Sequence, residues 1–77
     1  MTTNVSNALR KAVHFATERF PDDVMCFDNR NSVGDEMETI YEADGITIDY
    51  CFDWDYIEVF GLSPKEFDVF YSLVDNT

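Results

Sequence analysis

Apolar residues recur at Val5, Leu9, Ala12, Val13, Ala16 and Phe20, the three-to-four-residue spacing of one helical face. The spacing predicts a helix over 4–20, with Thr3 as its N-cap and Pro21 as its stop. Residues 23–28, DVMCFD, read as a short strand or extended segment, and the DNRNSVGD that follows has the composition of a loop. The period then changes to two. EMETIYEA precedes Asp44-Gly45 and ITIDYCF follows it, and Asp-Gly between alternating runs is a strong short-range hairpin signal. Strands are expected at 36–43 and 46–52. A two-residue turn sets Ala43 opposite Ile46, Tyr41 opposite Ile48, Thr39 opposite Tyr50 and Met37 opposite Phe52, all on one face.

After Asp55 the apolar phase switches from even positions (Ile46 to Phe52) to odd ones (Ile57, Val59). A second turn at Asp53-Trp54 accounts for the switch and brings a third strand, 55–60, onto the same face, with Tyr50 opposite Ile57 and Ile48 opposite Val59. A continuous strand with a bulge near Asp55 reverses the phase equally well. Next, Ser63 with Glu66 three residues on forms a capping box, and Pro64 suits the first helical position because its missing N–H has no partner there anyway. Phe67, Phe70, Tyr71 and Val74 give that helix an apolar face. The pattern thus predicts an α+β domain over 1–77: a three-stranded antiparallel meander flanked by an N-terminal and a C-terminal helix (α-β-β-β-α), with both helices packed on one face.

Charge adds what periodicity leaves out. Between Arg30 and Lys65 stand nine carboxylates, Asp35, Glu36, Glu38, Glu42, Asp44, Asp49, Asp53, Asp55 and Glu58, with no Lys or Arg among them. Aromatic and β-branched residues interleave the block, which disordered acidic tails lack, so it is expected to fold. Arg10, Lys11 and His14 lie on the first helix, far from the block in sequence, which makes the molecule electrically lopsided. A net charge of −11 with five Lys and Arg in all argues against direct binding to nucleic acid, and an anionic membrane surface would repel the chain too. The N-terminus lacks the pattern of a secretory signal, so a cytoplasmic location is expected, with Cys26 and Cys51 reduced.

The predicted register puts Glu36, Glu38, Ile40, Glu42, Thr47, Asp49, Cys51, Tyr56, Glu58 and Phe60 on the sheet face away from the helices. That face is expected to be acidic and uncovered. Asp49 falls opposite Glu58, a like-charge pair that destabilises a sheet and is therefore a candidate for function. Carboxylates spaced ~6.5 Å along a strand and ~4.8 Å between strands form an anionic lattice able to occupy a basic nucleic-acid groove. Trp54 and Tyr56 add aromatic anchors of the type that dominates interface energy. The candidate partner-binding residues are Glu38, Glu42, Asp49, Asp53, Trp54, Asp55, Tyr56 and Glu58. The alternative is a solvated acidic face that only keeps the protein soluble.

Other chemistry finds little support. The acidic positions lack the spacing of a calcium loop, two cysteines without CxxC spacing make no zinc site, and a sheet this small offers no cleft for a glycosidase carboxylate pair. His14 is the one histidine, between Arg10 and Glu18 at i,i+4 spacing, and reads as surface decoration. No glycine-rich loop cradles phosphate. Neither an enzyme nor a cofactor or metal is expected.

Small size, an acidic sheet and the helix, three strands, helix order resemble the inhibitors that phages and mobile elements make against host DNA-handling proteins, including DNA-mimic anti-restriction and anti-CRISPR proteins. The resemblance is architectural and compositional. It implies a stoichiometric inhibitor that covers a basic nucleic-acid groove, in the host cytoplasm if the gene belongs to a phage; the chain itself is expected to be a monomer or homodimer. Its partner would be a basic protein, namely a nucleic-acid-binding enzyme such as a CRISPR effector, a restriction enzyme or a repair enzyme. Two other readings stay open: an immunity protein or antitoxin that neutralises a basic toxin, and a small adaptor that oligomerises through an exposed Ile40, Cys51, Phe60 strip.

Overall fold

The computed structural model describes residues 6–22, 24–28 and 36–75. Helix α1 spans Asn7–Arg19, and Ser6 caps it: its Oγ accepts the Leu9 N–H at 3.1 Å. Thr3, the cap expected from the sequence, lies outside the described residues, and the helix begins three residues later than expected. Leu9, Ala12 and Ala16 are buried, and the alanines hold that stripe close to its neighbours. At the other end Phe20 closes the helix through its N–H to the Ala16 carbonyl.

Four strands follow: β1 (Met25–Asp28), β2 (Glu38–Ala43), β3 (Ile46–Cys51) and β4 (Tyr56–Phe60). They form one mixed sheet in the order β1-β4-β3-β2. The expected α+β class is present, but the three-stranded meander is a four-stranded sheet, because DVMCFD contributes an edge strand parallel to β4. That pairing is non-local and leaves no pattern in four residues. Its consequence is large, since β4 becomes an interior strand instead of an edge.

The β2–β3 hairpin turns at Asp44 (φ 54°) and Gly45 (φ 82°), the two positive values a tight primed turn needs. Ala43 pairs with Ile46 and Tyr41 with Ile48, as the turn dictates. Beyond Tyr41 the register shifts, and Thr39 pairs with Asp49 and Glu38 with Tyr50. This bulge at Ile40 corrects the expected pairing of Thr39 with Tyr50. Residues 52–55 form the turn before β4, so the second hairpin is present and the continuous bulged strand is not. Tyr50 pairs with Ile57 and Ile48 with Val59.

Helix α2 (Pro64–Asp75) opens with the capping box: the Ser63 N–H donates to Glu66 Oε1 at 2.9 Å, and the Glu66 N–H donates to Ser63 Oγ at 3.2 Å. Leu9, Ala12 and Ala16 of α1 and Phe70 and Val74 of α2 share one core with Cys26, Ile46, Ile48, Ile57 and Val59. The paired positions of those sheet residues all lie on one face, so both helices cover the same side.

Candidate functional site

Register sorts the face away from the helices into rows. One row runs Met25, Tyr56, Cys51; the next runs Phe27, Glu58, Asp49, Thr39; a third runs Phe60, Thr47, Glu42. The middle of this face is not the uncovered lattice expected from the sequence. Glu58 is 3% exposed and Cys51 is fully buried. On this face Glu58 lies beside Phe27 and Tyr56, whose rings meet edge to face at 5.2 Å. Asp49 is half-buried and accepts a 2.7 Å hydrogen bond from Thr39 Oγ1, a partner that the bulge delivers.

The strip Ile40, Cys51, Phe60 is not exposed either. Ile40 packs against the core, Cys51 is buried and Phe60 is half-buried. The adaptor reading keeps only the half-exposed Ile40 and Phe60 of its strip.

The remaining candidates divide in two. Glu38 and Glu42 are exposed on edge strand β2, on opposite faces by register. Asp53, Trp54 and Asp55 are exposed in the β3–β4 turn, where Trp54 is 73% exposed. Asp55 takes a left-handed backbone (φ 57°), which an Asp tolerates better than most side chains, and its Oδ1 accepts the Tyr50 hydroxyl proton at 2.8 Å. That bond, more than any other influence, raises the Tyr50 pKa above its ordinary value, since the phenolate would lose it and stand beside a carboxylate. Tyr56, half-buried, belongs to the Phe27 contact and not to the exposed turn.

The turn does not stand alone. Trp54 and Asp55 line a groove of about 290 Å³ together with Val24 and Met25 of the β1 approach and Tyr71 and Asp75 of α2. Met25 is 62% exposed and Tyr71 46%. Tyr71 was expected on the apolar face of its helix and Phe52 in the core. The structure instead leaves both outside, Phe52 at 55% exposure. Sequence patterning offered no route to Met25, Tyr71 or Asp75 as site residues, because three separate elements bring them together.

Charge is also less segregated than the sequence implies. The Arg19 guanidinium lies 5.2 Å from the Phe20 ring centre and 5.5 Å from that of Tyr50, so one helix cation reaches the acidic sheet. None of the six groove residues is basic. Among the described residues no cluster of His, Cys, Asp and Glu has the arrangement to hold a metal ion, and no helix is long and apolar enough to cross a membrane. Compared with protein-family models, with curated proteins and with solved structures, the chain matches none.

Proposed function

We propose that this protein is an acidic protein-binding inhibitor that associates stoichiometrically with a basic surface of a nucleic-acid-binding enzyme. The observation that carries the reading is Trp54, exposed at the tip of the β3–β4 turn between the exposed carboxylates of Asp53 and Asp55. Trp54 lies outside the hydrophobic core, and interfaces draw much of their energy from such side chains when a partner desolvates them. The carboxylates beside it add long-range attraction for a basic partner and bias its approach.

Burial of Glu58 and the Asp49–Thr39 bond remove the centre of the sheet from the contact. Support for the reading therefore rests on the turn and on the β2 edge, with Glu38 and Glu42, and not on an anionic lattice. The test is capture from the producing cell, followed by titration of the captured enzyme, bound to labelled nucleic acid, with the purified protein. The reading expects release of the nucleic acid at one equivalent, opposed by salt. An enzyme that keeps its nucleic acid at saturation overturns it, and capture of a basic toxin without nucleic acid transfers the same site to the immunity reading.

A further inference from the structure

The groove beside Trp54 has a more specific chemistry than a general attraction for bases. Its apolar lining is Val24, 6% exposed, with Met25, Trp54 and Tyr71, which are exposed. At about 290 Å³ it sits at the small end of ligand sites, sized for one side chain and not for a cofactor. Two carboxylates join this apolar lining, Asp55 from the turn and Asp75 from the end of α2.

Asp75 stands where a helix least tolerates it. The C-terminal end of a helix carries partial negative charge and favours Lys, Arg or His, yet the last turn of α2 has no basic residue and places a carboxylate there. Asp55 adds a second negative charge, of which Tyr50 engages one oxygen. Two negative charges, a helix end with no basic residue in its last turn and two aromatic side chains thus line one small groove. The complement is a flat cation that stacks on rings and binds carboxylates through several N–H groups at once.

We infer that this groove receives a single arginine side chain presented by the partner protein, with the guanidinium against Trp54 and Tyr71 and its N–H groups toward Asp55 and Asp75. The inference deepens the proposed function and rests on it for the identity of the occupant as a protein. Lysine fits less well, because an ammonium cannot stack as a plane or form a two-pronged bond to a carboxylate.

Trp54 is the one tryptophan in the chain, so its fluorescence reports on the groove directly. The full-length protein is titrated at low salt with three capped tripeptides, Gly-Arg-Gly, Gly-Lys-Gly and Gly-citrulline-Gly, the last an uncharged isostere of the first. The arginine peptide is expected to shift Trp54 emission saturably, the lysine peptide more weakly, and the citrulline peptide not at all. Asp75→Asn, at an exposed helix end where loss of charge does not threaten the fold, is expected to weaken the arginine peptide by about two- to fivefold, the range for one exposed charge contact. Tyr71→Leu is expected to weaken it by a similar factor. Equal responses to arginine and citrulline, or an unchanged affinity in Asp75→Asn, overturn the inference. The outcome is separable from that of the nucleic-acid release assay: arginine binding without release retains the groove and rejects the inhibitor, while release undiminished by Asp75→Asn and Tyr71→Leu rejects the groove alone.

Discussion

Asp49 and Glu58 face each other across the β3–β4 pair, yet Asp49 is half-buried with its carboxylate bonded to Thr39, whereas Glu58 is 3% exposed. Two acids that look equivalent in sequence therefore have different work. A surface acid is replaceable. A buried one is part of the fold, since a reversed charge at the same place must be desolvated without the interactions arranged for the original. Glu58→Lys is expected to lower stability by about 2–4 kcal/mol. Glu42→Lys, on the exposed edge, is expected to change it by no more than about 0.5 kcal/mol. Urea midpoints at constant slope measure both, and equal midpoints would show that Glu58 contributes only as a surface charge.

The bond from Tyr50 to Asp55 gives a pH prediction. The folded-state pKa of Tyr50 is raised above 10.0, first by this hydrogen bond, then by burial and the Asp55 charge, with Arg19 acting in the opposite direction. A raised pKa means that the folded protein holds the proton more tightly than the unfolded chain. The associated stability is complete below the unfolded value and is lost as pH rises through the folded one. Asp55→Gly removes the acceptor without straining the left-handed backbone and should bring Tyr50 down toward its ordinary value. Asp55→Asn keeps an acceptor, loses the charge and should lie between the two. Phenolate absorbance in an alkaline titration of the three proteins reads the order.

Much of this architecture was legible because it is local. Asp44-Gly45 dictates a turn, Ser63-Pro64-Lys65-Glu66 dictates a helix start, and the phase switch after Asp55 places a second hairpin. The features that escaped depend on distant partners. The short strand expected within 23–28 is present as β1, but nothing within Met25–Asp28 announces its parallel pairing with β4. The bulge at Ile40 moves Thr39 to Asp49 and so decides which acid is satisfied, a one-residue shift invisible to an alternation of polar and apolar residues. Glu58 reads as solvent-facing by period alone, yet it is 3% exposed beside Phe27 and Tyr56, neighbours that strand pairing and not period supplies. Of the candidate site, Trp54 and Asp55 were legible as an acidic aromatic turn. Met25, Tyr71 and Asp75 were not, since only the packing of α2 and β1 brings them beside it.

Gly61 and Gly45 give a paired test of the hairpin's seat. Both have positive φ, 94° and 82°. A Cβ at Gly45 would meet open space, whereas one at Gly61 would run into the Gly45 carbonyl and approach Ile46 Cα at 3.3 Å. The β4–α2 junction thus lies directly on the β2–β3 turn. Gly45→Ala should cost about 1–2 kcal/mol through backbone conformation alone. Gly61→Ala should cost more, because a displaced turn adds to the same backbone term. Thermal midpoints that fall equally would show that the backbone contact at Gly61 yields without penalty.

Partner binding provides the sharpest contrast between side chains that look alike in sequence. Under the proposed function, contribution follows exposure and not charge count. Trp54, 73% exposed and outside the hydrophobic core, should tolerate Ala with the fold intact while association weakens by about 2 kcal/mol or more. Asp53→Asn should reduce association modestly and make it less dependent on salt, as expected when an exposed charge leaves the rim of an interface. Asp49→Asn should leave association unchanged, because Thr39 already occupies that side chain and an amide oxygen can replace the acceptor. Calorimetric titration of the captured partner at two salt concentrations separates these cases. If Asp49→Asn weakened binding more than Trp54→Ala, the contact would have to lie on the sheet face, and the turn would lose its place as the site.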